Sequence, residues 1–308
     1  MATARALVVG AFFSLAALAG STSVSANETG PATSEIDITK LPGVVPTPGL
    51  ANALPAAIKA SGVLRVATDL TPPISFHSEE GKLIGIDADI AAALGIILQV
   101  NVQMTDVGAG AAIVPSILSR RFDMTLSGIN DDPELEKHLD VVDYMYDATT
   151  IMTISGNPLG ITSMDNLCGK VVAVPVGTFQ ERLVEGASKR CSTPISIMAI
   201  PKMPDVLQAV RTGRANATVN GYATSVYTTQ HQTGNGKGLQ ALPDVRLAVG
   251  YLGILIAKDN TQLRDTVIAA LQQMLKSGAY DAILRKWGLA PLAVNTVKLN
   301  GAQNISVN

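Results

Sequence analysis

Residues 122–146, FDMTLSGINDDPELEKHLDVVDYMY, hold the signals that decide how the chain is organised. Met124, Leu126 and Ser127 form a short run after Asp123, and Gly128 breaks it, so the run reads as a strand. Asn130, Asp131 and Asp132 follow. Each can cap a helix by accepting a backbone N–H, and Pro133 suits the first helical turn. A strand that ends in a polar loop and opens a helix leaves free N–H groups converging on one spot. Such a junction suits a small polar ligand, and equally an ordinary capped surface helix. After it, VDYMY leads the chain away.

Upstream, GVLRVATD (62–69) is a short apolar strand, IDADIAAALGIIL (86–98) a helix, VNVQM (100–104) a strand and GAAIVPSILSRR (110–121) a helix. With FDMTLSG this makes βαβαβ. Downstream the same alternation returns. GKVVAVP (169–175) is a buried strand, Thr178 to Arg190 a helix, ISIMAI (195–200) a strand, MPDVLQAVRTG (203–213) a helix and NATVNG (216–221) a strand, with a helix from Tyr222 to Gln230. VRLAVGYLGILIA (245–257) is extended, while 261–278 and 279–288 are helical. Two α/β lobes are expected, each a mostly parallel sheet flanked by helices.

The N-terminus is expected to lie outside this fold. Arg5 precedes an apolar core from Ala6 to Leu18, and Val24-Ser25-Ala26 offers small residues for cleavage after Ala26, so residues 1–26 read as a signal peptide of an exported, periplasmic protein. An uncleaved membrane anchor is the alternative. Residues 27–54, proline-bearing and without periodicity, read as a flexible leader.

The formal net charge of −2 provides no basic stripe for nucleic acid, and 4% aromatic residues provide no stacking platform. His77, His138 and His231 are scattered and form no metal constellation, and no cofactor is expected. No nucleophile elbow, P-loop or dinucleotide fingerprint is present, so the chain does not read as an enzyme. The strand from Gly169 and the helix to Arg190 cover about equal lengths at roughly 3.3 and 1.5 Å per residue, which brings Cys168 and Cys191 to the same end. An oxidising compartment then makes a disulfide the expectation.

GVLRVATD, PPISF, GKLIGIDADIAAALG, RRFDMTLSG, VDY, DNLCGKVVAVPVGT and SGAYDAILRKWG together resemble the bacterial family 3 solute-binding proteins, over about residues 54–290. That resemblance implies a two-lobed type II periplasmic-binding-protein fold and a role as receptor of an ABC importer. It places crossings between lobes near Tyr146 to Thr150 and Leu247 to Leu252. Lobe 1 would be 55–145 with 253–308, and 146–252 would hold the hinge segments and lobe 2.

The sequence departs from the family where ligand should sit. The usual T-x-E-R, whose Arg forks onto an α-carboxylate, is here Asp132-Pro133-Glu134-Leu135. Gly221 stands where the family places the Asp that holds an α-ammonium, and the usual stacking aromatic is replaced by Thr71. The candidate ligand-binding residues are Asp69, Phe76, Ser127, Asn130, Asp131, Thr178, Phe179, Asn220 and Tyr222. Asp69 alone also reads as a turn cap, Phe179 as core and Tyr222 as cover for a helix start.

The expected function is hinge closure on an amino acid-like or amine small molecule and presentation to a membrane permease, by a monomer. The alternatives are a ligand-binding sensor protein docking to a receptor or kinase, and a periplasmic dehydratase-like enzyme. Without the family's Arg and Asp, plain α-amino acids are expected to bind poorly. Asp69 and Asp131, if both line the cleft with no cation opposite, favour a ligand bearing positive charge or several hydrogen-bond donors. Leu135→Arg combined with Gly221→Asp is expected to restore such binding.

Overall fold

The computed structural model describes residues 36–108, 110–232, 238–242 and 244–302. The expected signal peptide with its cleavage after Ala26 lies outside them. Both βαβαβ series form, and in each the first strand is central. Val63–Thr68 pairs in parallel with Asn101–Asp106 on one side and Met124–Thr125 on the other. Val171–Pro175 likewise pairs in parallel with Ser196–Ile200 and Ala217–Gly221.

Two long antiparallel strands, Leu139–Ile154 and Leu247–Ala257, lie between these groups and join all of them into one mixed sheet. Leu139–Ile154 is long enough to pair with Leu247–Ala257 along its first part and with Ala217–Gly221 along its last. Its sequence supports that reach, since fourteen of its sixteen residues are buried. The pairing slips between Leu247 and Gly250 and again between Leu252 and Gly253. Gly253 is required by space, because a Cβ there would overlap the Val141 side chain.

The helices follow the periodicity closely. Ile86–Leu98, Phe179–Ser188, Met203–Arg211, Tyr222–Gln230 and Thr261–Ser277 all form where the apolar spacing places them. Ile90, Leu94 and Ile97 of the first pack with Leu263, Val267 and Leu271 of the last in one core. Separate clusters around Val172, Val174 and Val184, and around Val206 and Val210, fill the other half.

One expectation is revised, and one strand is added. The part of the presumed leader that is described, residues 36–54, is packed: Val44 and Leu54 are buried in the first core. Its backbone is also tied down, with the Thr47 N–H donating to the Ile97 carbonyl at 2.9 Å and Gln273 Nε2 donating to the Gly43 carbonyl at 2.8 Å. Prolines hide the periodicity of such a segment without preventing two apolar side chains from filling a groove. The extended segment Ala293–Leu299, which has no reading from the sequence, pairs with Leu139–Ile154.

Cys168 and Cys191 form a disulfide with Cα atoms 5.5 Å apart, beside a core that includes Leu167 and Ala187. In the chain-entropy picture, closing a loop of this length contributes roughly 3 kcal/mol. Reduction is therefore expected to lower the thermal midpoint by several degrees, checked by calorimetry with and without reductant. An unchanged midpoint after verified reduction would show that the bridge contributes nothing to stability.

Candidate functional site

A cavity lies between the two strand groups, beside the crossing strands. Its first wall comes from the loops after Val63–Thr68 and Met124–Thr125, with Asp69, Thr71, Ser127, Asn130, Asp132 and Leu135. The second wall is Thr178, Phe179, Gln180 and Arg182 at the start of the helix Phe179–Ser188, with Asn220 and Gly221. Asp147 of a crossing strand completes it.

The polar loop is built as its residues dictate. Asp132 caps the helix Pro133–His138, accepting from the Glu134 and Leu135 N–H groups at 2.9 and 3.1 Å. Ser127 Oγ donates to Asp69 Oδ1 at 2.7 Å and accepts from the Asp69 N–H at 3.0 Å. Burial pushes the Asp69 carboxyl up to about 6, with the Ser127 and Thr71 hydroxyls opposing the shift. Behind the loop, buried Asp87 accepts from the Gly128 N–H at 3.1 Å and from the Tyr144 hydroxyl at 2.7 Å, which fixes the turn. Across the cavity, Thr178 caps its helix through the Glu181 N–H at 3.3 Å and donates to the Pro175 carbonyl at 2.7 Å.

The two walls touch. Gln180 Nε2 donates to Asn130 Oδ1 at 2.8 Å, and Arg182 forms an ion pair with Asp132. Lys202 of the second strand group also stands 3.8 Å from Asp106 of the first. Beside the cavity the backbones of Gly110 and Gly177 approach so closely that a Cβ on Gly110 would lie 2.6 Å from the Gly177 carbonyl oxygen. The arrangement is a closed one, held by contacts that an opening motion would break.

Of the residues singled out from the sequence, Asp69, Ser127, Asn130, Thr178, Phe179 and Asn220 line this cavity. Three others lie elsewhere. Phe76 is partly buried against the first core, its ring 5.6 Å from Tyr227 and 5.7 Å from Trp287. Tyr222 lies under the Arg246 guanidinium, 3.4 Å from its ring centroid. Asp131 points away from the cavity. Its N–H donates to the Tyr251 carbonyl at 2.9 Å, and its carboxyl is buried beside Asp143 and Glu136.

The cavity also has a cation, so the condition of carboxylates with no cation opposite is not met. That cation is Arg182, on the wall opposite the position that Leu135 occupies. The missed residues Gln180 and Arg182 fall in the first turns of a helix whose start was legible at Thr178, and that placement was the available signal. Asp147 is one of three carboxylates on its crossing strand, with Asp140 and Asp143, and nothing local to the sequence sets it apart from them. Burial pushes it up to about 7, against the N–H groups of Ala148, Ala223 and Tyr222. Asn220 Nδ2 is buried with no hydrogen-bond partner among the described residues.

This geometry has close counterparts. The arginine-binding protein of Corynebacterium glutamicum is 26% identical over 252 residues, covering 79% of this chain and 80% of its own. The histidine-binding periplasmic protein of Escherichia coli is 25% identical over 229 residues, or 73% of this chain and 86% of its own. Among solved structures, an ancestral arginine-binding protein bound to arginine superimposes with a TM-score of 0.67 at 29% identity, covering 73% of this chain and 98% of the other. Residues 64–290 match the bacterial extracellular solute-binding proteins, family 3, and the chain belongs to that family.

Proposed function

We propose that the protein is the extracytoplasmic substrate-binding component of an ABC importer for a cationic amino acid or amine. It closes on that ligand by a hinge motion and presents the closed form to a membrane permease. The observation that carries the ligand class is the charge of the cavity: three carboxylates, Asp69, Asp132 and Asp147, face one guanidinium, Arg182, which is already paired with Asp132. A cationic ligand balances that excess, whereas an acidic one adds to it. Asn220 Nδ2 offers a buried donor for a ligand oxygen, since a buried polar group without a partner costs about 1–3 kcal/mol.

The lobes are then 55–145 with 253–308, and 146–252, turning about the crossing strands, whose register slips supply the pliable points. The segment 36–54 moves with the first lobe, since it packs on the helix Thr261–Ser277. The receptor acts as an exported monomer, and no helix among the described residues is long and apolar enough to cross a membrane. The relatives' names carry arginine and histidine binding, which agrees with this ligand class.

The test is a calorimetric panel of arginine, lysine, ornithine, histidine and putrescine beside glutamine, leucine and glutamate. Micromolar binding within the cationic group, which replaces the sequence-based expectation that plain α-amino acids bind poorly, and at least tenfold weaker binding of glutamate are expected. Preference for glutamate, or no binding across the cationic set, would overturn the reading.

A further inference from the structure

Gly221 ends the strand Ala217–Gly221 opposite Thr149 of the antiparallel crossing strand. Side chains alternate along a strand, so Asp147, two residues from Thr149, emerges on the same face and is the diagonal neighbour of Gly221. Its Oδ2 lies 2.6 Å from the point that a Cβ on Gly221 would occupy. The Gly221 backbone sits at φ −55°, open to any L-residue. The carboxylate, and not the conformation, is therefore what calls for glycine here.

The neighbouring groups favour a ligand contact. Asp147 is only 4% exposed, yet it lines the cavity. The Ala223 N–H donates to its Oδ1 at 3.2 Å, and the N–H groups of Ala148 and Tyr222 also act on the carboxylate, which holds it in place at the cavity wall. Asp132 is held by Arg182 and Asp69 by the Ser127 hydroxyl. The Arg246 charge also acts on Asp147, as the last among the influences on it.

We propose that Asp147, seated over Gly221, anchors the positively charged nitrogen of the ligand and sets the preference of the cleft for cations. The assignment rests on the cationic ligand class proposed above. It also revises the expected effect of Gly221→Asp, which would place a second carboxylate in space that Asp147 already holds.

The experiment compares arginine, Nα-acetylarginine and citrulline on the full chain and on D147N, with thermal midpoints as the control for folding. Asparagine keeps an oxygen for the Ala223 N–H and removes the charge. The expected result is a loss of arginine affinity on the order of 30-fold or more at a midpoint within a few degrees of the parent. Whichever derivative loses no further affinity in D147N identifies the nitrogen, α-ammonium with Nα-acetylarginine or guanidinium with citrulline. A second variant, Asp147→Ala with Gly221→Asp, returns a carboxylate to the same space from the adjacent strand and is expected to recover arginine binding to within about tenfold of the parent. Arginine binding by D147N within threefold of the parent overturns the role of Asp147 alone, as does equal further loss with both derivatives. Failure of the parent to bind any cationic probe overturns the ligand class together with this assignment.

Discussion

Gly110→Ala is expected to weaken ligand binding by about one to two orders of magnitude while leaving the unliganded fold intact. The added methyl group would lie 2.6 Å from the Gly177 carbonyl oxygen, a backbone atom with no rotamer to yield. Both Gly110 and its neighbour Ala111 meet the opposite wall in the closed arrangement, where the Ala111 N–H donates to the Val176 carbonyl at 3.4 Å. Overpacking of this kind costs about 1–3 kcal/mol, and that cost falls only on the closed state, so it subtracts directly from the affinity of a ligand that requires closure. Gly177→Ala meets the same contact from the other side, with a Cβ 2.6 Å from the Ala111 nitrogen. It adds the strain of φ +72° and so should also lower the thermal midpoint. Calorimetry and small-angle scattering with the strongest binder of the ligand panel provide the check. The parent is expected to contract on binding and Gly110→Ala to contract less. Parental affinity and full contraction in Gly110→Ala would exclude closure through this contact.

The fold was legible because its signals are local. The helix Ile86–Leu98 has the bounds that its apolar spacing gives, and Thr178 and Asp132 cap helices where their residue types place them. The disulfide followed from the matched lengths of one strand and one helix. The site was legible only where its residues belong to those junctions, as Ser127, Asn130 and Thr178 do. What escaped depends on two distant segments meeting. Asp147 enters the cavity only because Gly221 leaves room for it, and Arg182 counts as a cleft residue only once its wall stands opposite Asp132. Asp131 failed for the opposite reason. The sequence offers three consecutive polar residues as caps, but a strand-like backbone alternates their side chains, so Asn130 and Asp132 face the cavity while Asp131 faces inward.

That inward carboxyl should be a source of instability above acidic pH. Asp131 is 1% exposed, and neither of its carboxyl oxygens has a hydrogen-bond partner among the described residues. Burial pushes its pKa well above the ordinary value of 3.8, and the charges of Asp143 and Glu136 push it further the same way. Asp143 is also raised by burial, while Asp131 and the Gly301 N–H hold it back. A carboxyl raised by folding contributes its full stability below the unfolded value, near pH 4, and that contribution is lost as pH climbs towards the folded value. The protein should therefore lose stability steadily from pH 4 into the alkaline range. Asp131→Asn removes the ionisation and supplies an amide donor to Asp143 Oδ1, which also has no partner among the described residues. At pH 8 the variant is expected to be more stable by about 2 kcal/mol, a rise of roughly 5 °C in Tm, with the difference shrinking towards zero near pH 4. Thermal unfolding of both proteins from pH 4 to 9 measures this. A variant no more stable than the parent at pH 8, or a gap that widens as pH falls, would mean that Asp131 is carried as a satisfied carboxylate and not as a buried, unpaired acid.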